Sequence, residues 1–243
     1  MKALRRWFAL VLVVLLALQV FFVGRIALMA VVNPQSTTFE RSEAWRIHKE
    51  KGVLRWRQQW LDYDQISDHL KRAVIASEDD SFAWHEGVDW EAMEQAWQRN
   101  AAAEERAAQL AAHGAKTVKP PKIVGGSTIT QQLAKNLLLS GERSLLRKGQ
   151  ELVLTFLLER LLSKQRILEL YLNHVEWGEG VFGAEAATQH YYRKSAAHLS
   201  AGEAARLAVM LPRPRYYEKQ PYSPYLSARA SVIVGRMWRA ELP

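Results

Sequence analysis

The first strong pattern is an unbroken apolar run. Residues 7–23, WFALVLVVLLALQVFFV, carry no charge and one amide, Gln19, and the apolar character resumes with IALMAVV after Gly24 and Arg25. Such a run predicts a transmembrane helix, with Arg25 able to snorkel toward the interface. A cleaved signal peptide is the competing reading, but no small-x-small cleavage pattern follows the apolar core, so 1–32 reads as a cytoplasmic N-terminus and an uncleaved anchor. From 33 the pattern turns polar and irregular, with Trp56 and Trp60 interspersed, and 33–66 reads as a membrane-proximal neck. From 67 to 243 the periodicity is helical nearly everywhere: Leu70, Val74 and Ser77; Trp90, Met93 and Trp97; Leu133 and Leu137; Leu152, Phe156 and Leu157; Ile167, Leu170 and Tyr171; Ala204, Leu207, Ala208 and Leu211. Strand-like alternation is almost absent, which predicts an all-α domain.

Start and stop signals sharpen these elements. Thr128-x-x-Gln131 and Ser200-x-x-Glu203 fit capping boxes, Asp89 and Ser163 fit N-caps, and Pro212 and Pro214 end the last core helix before a closing helix over 227–238. The stretch 101–122 is Ala-rich and finishes in Lys-Pro-Pro-Lys, which predicts a helix tip running into a loop.

Charge and composition narrow the classes. The net charge is +8, but Lys2, Arg5, Arg6 and Arg25 lie within the first 32 residues without any acid, so the remainder carries only +4. That is too thin for a nucleic-acid stripe and suits anionic headgroups or a phosphorylated lipid. Lys2, Arg5 and Arg6 ahead of the span predict the N-terminus inside and the rest outside. The chain has no Cys, which removes disulfides, thiolate catalysis and zinc-thiolate sites.

Three stretches carry candidate chemistry. In SEDDSFAWHEG, Glu78 falls at the C-terminal end of a helical run, where the helix dipole disfavours negative charge, beside Asp79 and the apolar Phe82 and Trp84. That is a physical recipe for a carboxylate that accepts or donates protons. Asp80 reads instead as a cap, and His85 as a hydrogen-bonded structural histidine rather than a metal ligand. In GGSTITQQLAKN, two glycines precede a helix start at Ser127 or Thr128, with Gln131, Gln132 and Lys135 on nearby turns. The arrangement fits either a helix N-terminus offered to an anion or a plain glycine turn with a capping box. In GERSLLRKGQELVLTFLLER, Arg143, Arg147 and Glu151 share one stripe with Lys148 beside them, opposite an apolar set of Leu146, Leu152, Phe156 and Leu157. An exposed Arg147–Glu151 pair contributes only about 0.3–0.5 kcal/mol, whereas Lys135, Arg143, Arg147 and Lys148 together make a phosphate clamp.

These stretches, with RILELYLNHVEWGEGVFGAEAATQHYYRKSAAHLSAGEAARLA, occur in an order and spacing over 70–214 that resembles the peptidoglycan glycosyltransferases in their monofunctional, membrane-anchored form. The resemblance implies a lysozyme-like, two-lobed all-α fold that polymerises lipid II at the bacterial inner membrane, with the catalytic domain on the periplasmic side. It implies Glu78 as general base, activating the acceptor 4-hydroxyl for inverting displacement of undecaprenyl pyrophosphate. Glu151 is the implied second carboxylate, acting directly or through a divalent metal. Lys135, Arg143, Arg147 and Lys148 would bind phosphate, Ser127, Thr128, Gln131 and Gln132 would orient pyrophosphate and sugar, and Asp79, Phe82 and His85 would shape the cleft. Arg166, Glu169, Tyr171, Asn173, Gly178 and Gly183 fall in motifs read as scaffold. No cofactor is obligatory, with Mg or Mn an optional addition; the implied partners are lipid II, the growing glycan chain, membrane lipids and other cell-wall synthases, and no nucleic acid. The chain departs from the family at Tyr191-Tyr192-Arg193-Lys194, where Tyr-Phe-Gly-Lys is usual, and no Ser-x-x-Lys of a penicillin-binding domain occurs. Two other classes remain: a glycan-cleaving muramidase on a similar helical scaffold, and a non-catalytic membrane-anchored interaction protein.

Overall fold

The computed structural model describes residues 1–113, 125–139 and 144–243. Eleven α-helices follow one another among them: α1 (Lys2–Leu28), α2 (Thr38–Lys51), α3 (Asp68–Glu78), α4 (Trp90–Ala112), α5 (Ile129–Leu138), α6 (Leu145–Leu161), α7 (Lys164–His174), α8 (Ala184–Tyr192), α9 (Ala201–Met210), α10 (Pro214–Tyr217) and α11 (Pro224–Arg236). The only strands among the described residues are β1 (Glu176–Gly178) and β2 (Val181–Phe182), an antiparallel hairpin between α7 and α8. The all-α expectation holds.

The predicted caps form. Thr128 and Gln131, and Ser200 and Glu203, close reciprocal capping boxes at the starts of α5 and α9, while Asp89 and Ser163 accept from Ala92 N and Arg166 N. Pro214 opens α10, where its missing N–H leaves no bond unmade. The core helix α3 packs on α9 and α11, and α5 packs on α2, α6 and α7. Ala73, Ala76, Ala204, Ala205 and Ala208 are buried on the α3 and α9 faces, and small side chains allow such helices to approach closely.

The neck departs from expectation. Its 38–51 part is a capped helix, α2, in which Thr37 and Glu40 form a further capping box and Gly52 ends the helix in the left-handed region at φ 68°. The polar character of this helix hid it, because only Glu40, Ala44 and Ile47 are buried. Residues after it lie along the hairpin: Arg57 N donates to Gly180 O and Phe182 N donates to Arg57 O, at 2.8 and 2.9 Å. The motif residues read as scaffold tie this segment down. Asn173 exchanges two hydrogen bonds with the Leu61 backbone, Glu169 accepts from Tyr63 N, and Arg166 donates to Met29 O, Val32 O and Asn33 Oδ1.

Two amphipathic faces are also rotated from their sequence reading. On α4, Trp90 and Trp97 are exposed, and Ala96 is the buried residue. On α6, the buried positions are Glu151, Leu154, Thr155 and Leu158, while Leu145, Leu146, Val153 and Phe156 are exposed. Glu151 of the charged stripe therefore faces inward, with Arg147 partly buried beside it. Helix α1 runs alongside α6, and the Gln19 and Gln150 side-chain amides exchange two hydrogen bonds of 3.1 and 3.2 Å. Over its length α1 is apolar enough to cross a membrane and is almost wholly uncovered by protein.

Candidate active site

Glu78 is the last residue of α3, and the chain leaves the helix at Asp79 with φ −165°. This break separates the three acids. Glu78 is half-buried in a cleft of about 290 Å³, with the exposed Ser127 and the turn at Gly125 and Gly126 among its walls. Gln132 Nε2 donates to Glu78 Oε2 at 3.0 Å, and Tyr171 Oη donates to Gln132 Oε1 at the same distance. Burial pushes the Glu78 carboxyl up from the ordinary range, the Gln132 hydrogen bond opposes this, and the Asp79 charge adds to it. Tyr171 is buried beside both carboxylates and is held well above the usual phenol range, so it remains a donor.

Asp79 does not face the cleft as a free ligand group. Its side chain is buried, with Oδ1 2.9 Å from His85 Nε2 and Oδ2 accepting from Ile129 N at 2.9 Å. It therefore caps the first turn of α5 from a neighbouring helix and sets that helix against Glu78. His85 also accepts from Gly87 N through Nδ1, as a hydrogen-bonded structural histidine would. Asp80 is not a cap: it is exposed and paired with Arg236 of α11 at 3.1 Å. Phe82 is fully buried, with the Lys164 ammonium 4.6 Å from its ring centre.

The glycine turn is fixed from below. Thr128 Oγ1 donates to Gly87 O at 2.6 Å and accepts from Gln131 N, and Gln131 Oε1 accepts from Thr128 N. Both side chains are buried, so they position the turn instead of reaching outward. A Cβ on Gly126 would stand 3.1 Å from Met93 Cα, which explains the close approach of this turn to α4. Helix α4 also brings Arg99 to the cleft wall, and α11 brings Arg236. Neither arginine was flagged in the sequence; both come from helix faces that look like ordinary solvated surface.

Glu151, Arg147 and Lys148 form a separate cluster on α6, and none of the three lines that cleft. Glu151 is buried, and its two oxygens accept from Arg147 Nη1 at 2.9 Å and from Lys148 Nζ. Arg147 Nε is buried without a hydrogen-bond partner among the described residues, which leaves a guanidinium donor for a further acceptor. Lys135 is exposed on the last turn of α5, the helix packed against α6. Arg143 lies outside the described residues, as does the 114–122 part of the Ala-rich stretch.

No three His, Asp or Glu side chains converge as a metal group among the described residues. The Glu151 oxygens are both engaged by cations, and Asp79 is spent on His85 and Ile129. This donor set does not make a protein cage for a divalent cation.

Beside the cleft, across the segment from Ala83 to Glu86, an apolar groove of about 690 Å³ opens between Trp84 and the exposed Val153 and Phe156 of α6, with Arg160 and Lys164 among its walls. The site thus joins a raised carboxylate, a rigid glycine turn, a cation cluster and an apolar groove on the helix that meets the anchor.

Residues 47–238 match the family described as Transglycosylase. The chain is 51% identical to the biosynthetic peptidoglycan transglycosylase of Paraburkholderia phytofirmans over 97% of its own length and 91% of the relative's. It is 52% identical to the protein of that name from Burkholderia thailandensis, over 94% and 83%, and 49% identical to that from Herminiimonas arsenicoxydans, over 100% of both. The chain belongs to the transglycosylase family.

Proposed function

We propose that this membrane-anchored enzyme polymerises lipid II into glycan strands for peptidoglycan, with Glu78 as the base. One observation carries the assignment: Glu78 stands at the cleft with its acidity weakened by burial, yet oriented by Gln132 and, through it, by Tyr171. A carboxylate of raised pKa is a stronger base than one in water. It takes the proton from the acceptor 4-hydroxyl as that oxygen attacks the anomeric carbon of the growing chain. The bond to undecaprenyl pyrophosphate breaks on the opposite face, so configuration inverts.

Negative charge develops on the departing pyrophosphate oxygen. Arg147, Lys148 and Lys135, with Arg143, answer that charge, and Glu151 holds Arg147 and Lys148 in register. Ser127 and the amides of the glycine turn orient the sugar and phosphate; Thr128, Gln131, Asp79 and Phe82 position that turn. The groove between Trp84 and Phe156 takes part of the polyprenyl chain. Lys2, Arg5 and Arg6, at the start of α1 and ahead of its apolar stretch, support a catalytic domain on the periplasmic side of the inner membrane.

A muramidase has no pyrophosphate to hold, so the Arg147–Glu151–Lys148 cluster, built on a buried carboxylate, argues against it. Incubation of the detergent-solubilised chain with labelled lipid II discriminates the readings. Polymer supports synthesis, shortening of preformed glycan supports cleavage, and no turnover supports an interaction protein.

A further inference from the structure

A second concave site lies where the neck segment meets the C-terminal end of α8. It encloses about 330 Å³, its walls include Trp56, Arg57, Gln59, Gln189, His190 and Arg193, and no acidic side chain lines it. Arg57 is held in place by its backbone bonds to Gly180 and Phe182. Its Nη1 stands 3.5 Å from His190 Nδ1. The other nitrogen of that ring faces away from Arg57, 3.4 Å from Glu218 Oε1. Among the described residues, neither Arg57 nor Arg193, both exposed, makes an ion pair. Two unpaired arginines on one recess repel each other, and a concave wall concentrates their field.

Arg193 adds an independent mark. It caps α8 at φ 60° and ψ 32°, the left-handed conformation, and is the one non-glycine residue with positive φ among the described residues. Glycine would take that position without strain. An arginine at that strained cap lines the recess.

We propose that this recess binds an oxyanion of the phosphate class, either free in solution or as a phospholipid headgroup. Two guanidinium forks with amides between them match the several acceptor oxygens of such a group. The site is independent of the Glu78 cleft and shares no residue with it.

The test uses the full chain in nanodiscs of phosphatidylcholine, titrated with inorganic phosphate at constant ionic strength. The readout is the His190 ring NMR signal, assigned by its loss in His190→Gln. The expected result is a saturable shift of that signal, with Arg57→Gln and Arg193→Gly each weakening the phosphate affinity about tenfold or more. Arg193→Gly relieves the backbone, so its Tm is expected to be no lower than that of the parent. Nanodiscs containing phosphatidylglycerol, without added phosphate, separate the sources. The same His190 shift there assigns a lipid headgroup, and a shift with phosphate alone assigns a soluble anion. No saturable shift in either arm, or equal affinity in a folded Arg193→Gly, overturns the proposal.

Discussion

Glu78 is pulled in two directions, since burial and the Asp79 charge raise its pKa while the Gln132 hydrogen bond lowers it. Activity that requires the carboxylate should therefore fall as pH drops through a value above the ordinary carboxylate range. Gln132→Ala removes the lowering partner, so the acidic limb of its kcat/KM profile should move to higher pH; an unmoved limb would mean that this contact does not tune the base. The stability consequence has the opposite sense to that of a salt-bridged acid. The folded state binds the Glu78 proton more tightly than the unfolded state, so its contribution favours folding at low pH and is lost as pH rises through the folded pKa. Glu78→Gln should accordingly keep or raise Tm at neutral pH, as measured by thermal unfolding in detergent. Glu78 was legible in the sequence because its place at a helix end and its apolar neighbours are local facts. The fates of Asp79 and Asp80 were not, because a cap on α5 and a pair with Arg236 depend on residues 50 and 156 positions away.

At the level of elements, the starts of α4, α5, α7 and α9 could be read directly, since a capping side chain and its target lie within one turn. The orientation of α6 could not. Its sequence has a charged stripe and an apolar stripe, and a soluble helix would bury the second; here Glu151 goes inside, paired with Arg147 and Lys148, while Leu145, Leu146, Val153 and Phe156 face out. Helix α2 was missed for a related reason, as it buries too little apolar surface to show a period. Gly87 shows how the elements are locked at the site. Its φ is +88°, its carbonyl accepts from Thr128, and a Cβ there would stand 2.7 Å from Thr155 Cγ2 and 2.9 Å from Glu159 Cγ. Gly87→Ala should destabilise the fold by about 1–3 kcal/mol and lower activity with it. A Tm and turnover equal to the parent's would show that the Gly87–Thr128 contact positions nothing.

For the whole molecule, the anchor packs on the helix that carries the candidate cation cluster. The Gln19–Gln150 pair joins α1 to α6 one residue before Glu151, and Arg166 clamps the residues that follow the span. Only the apolar length of α1 was visible in the sequence; the meaning of its lone amide depended on a partner 131 positions away. A double-mutant cycle with Gln19→Leu and Gln150→Leu should give a coupling of about 0.6 kcal/mol, the usual size for such a bond in a membrane. Additive effects would place the two helices apart. The most direct test of the account is polymerisation of labelled lipid II by the full-length chain and by Glu78→Gln, reconstituted in the same bilayer at equal folded concentration. The account predicts long glycan from the first and a loss of about 100- to 10,000-fold in the second. Near-parental polymer from a folded Glu78→Gln would contradict it and move the base elsewhere.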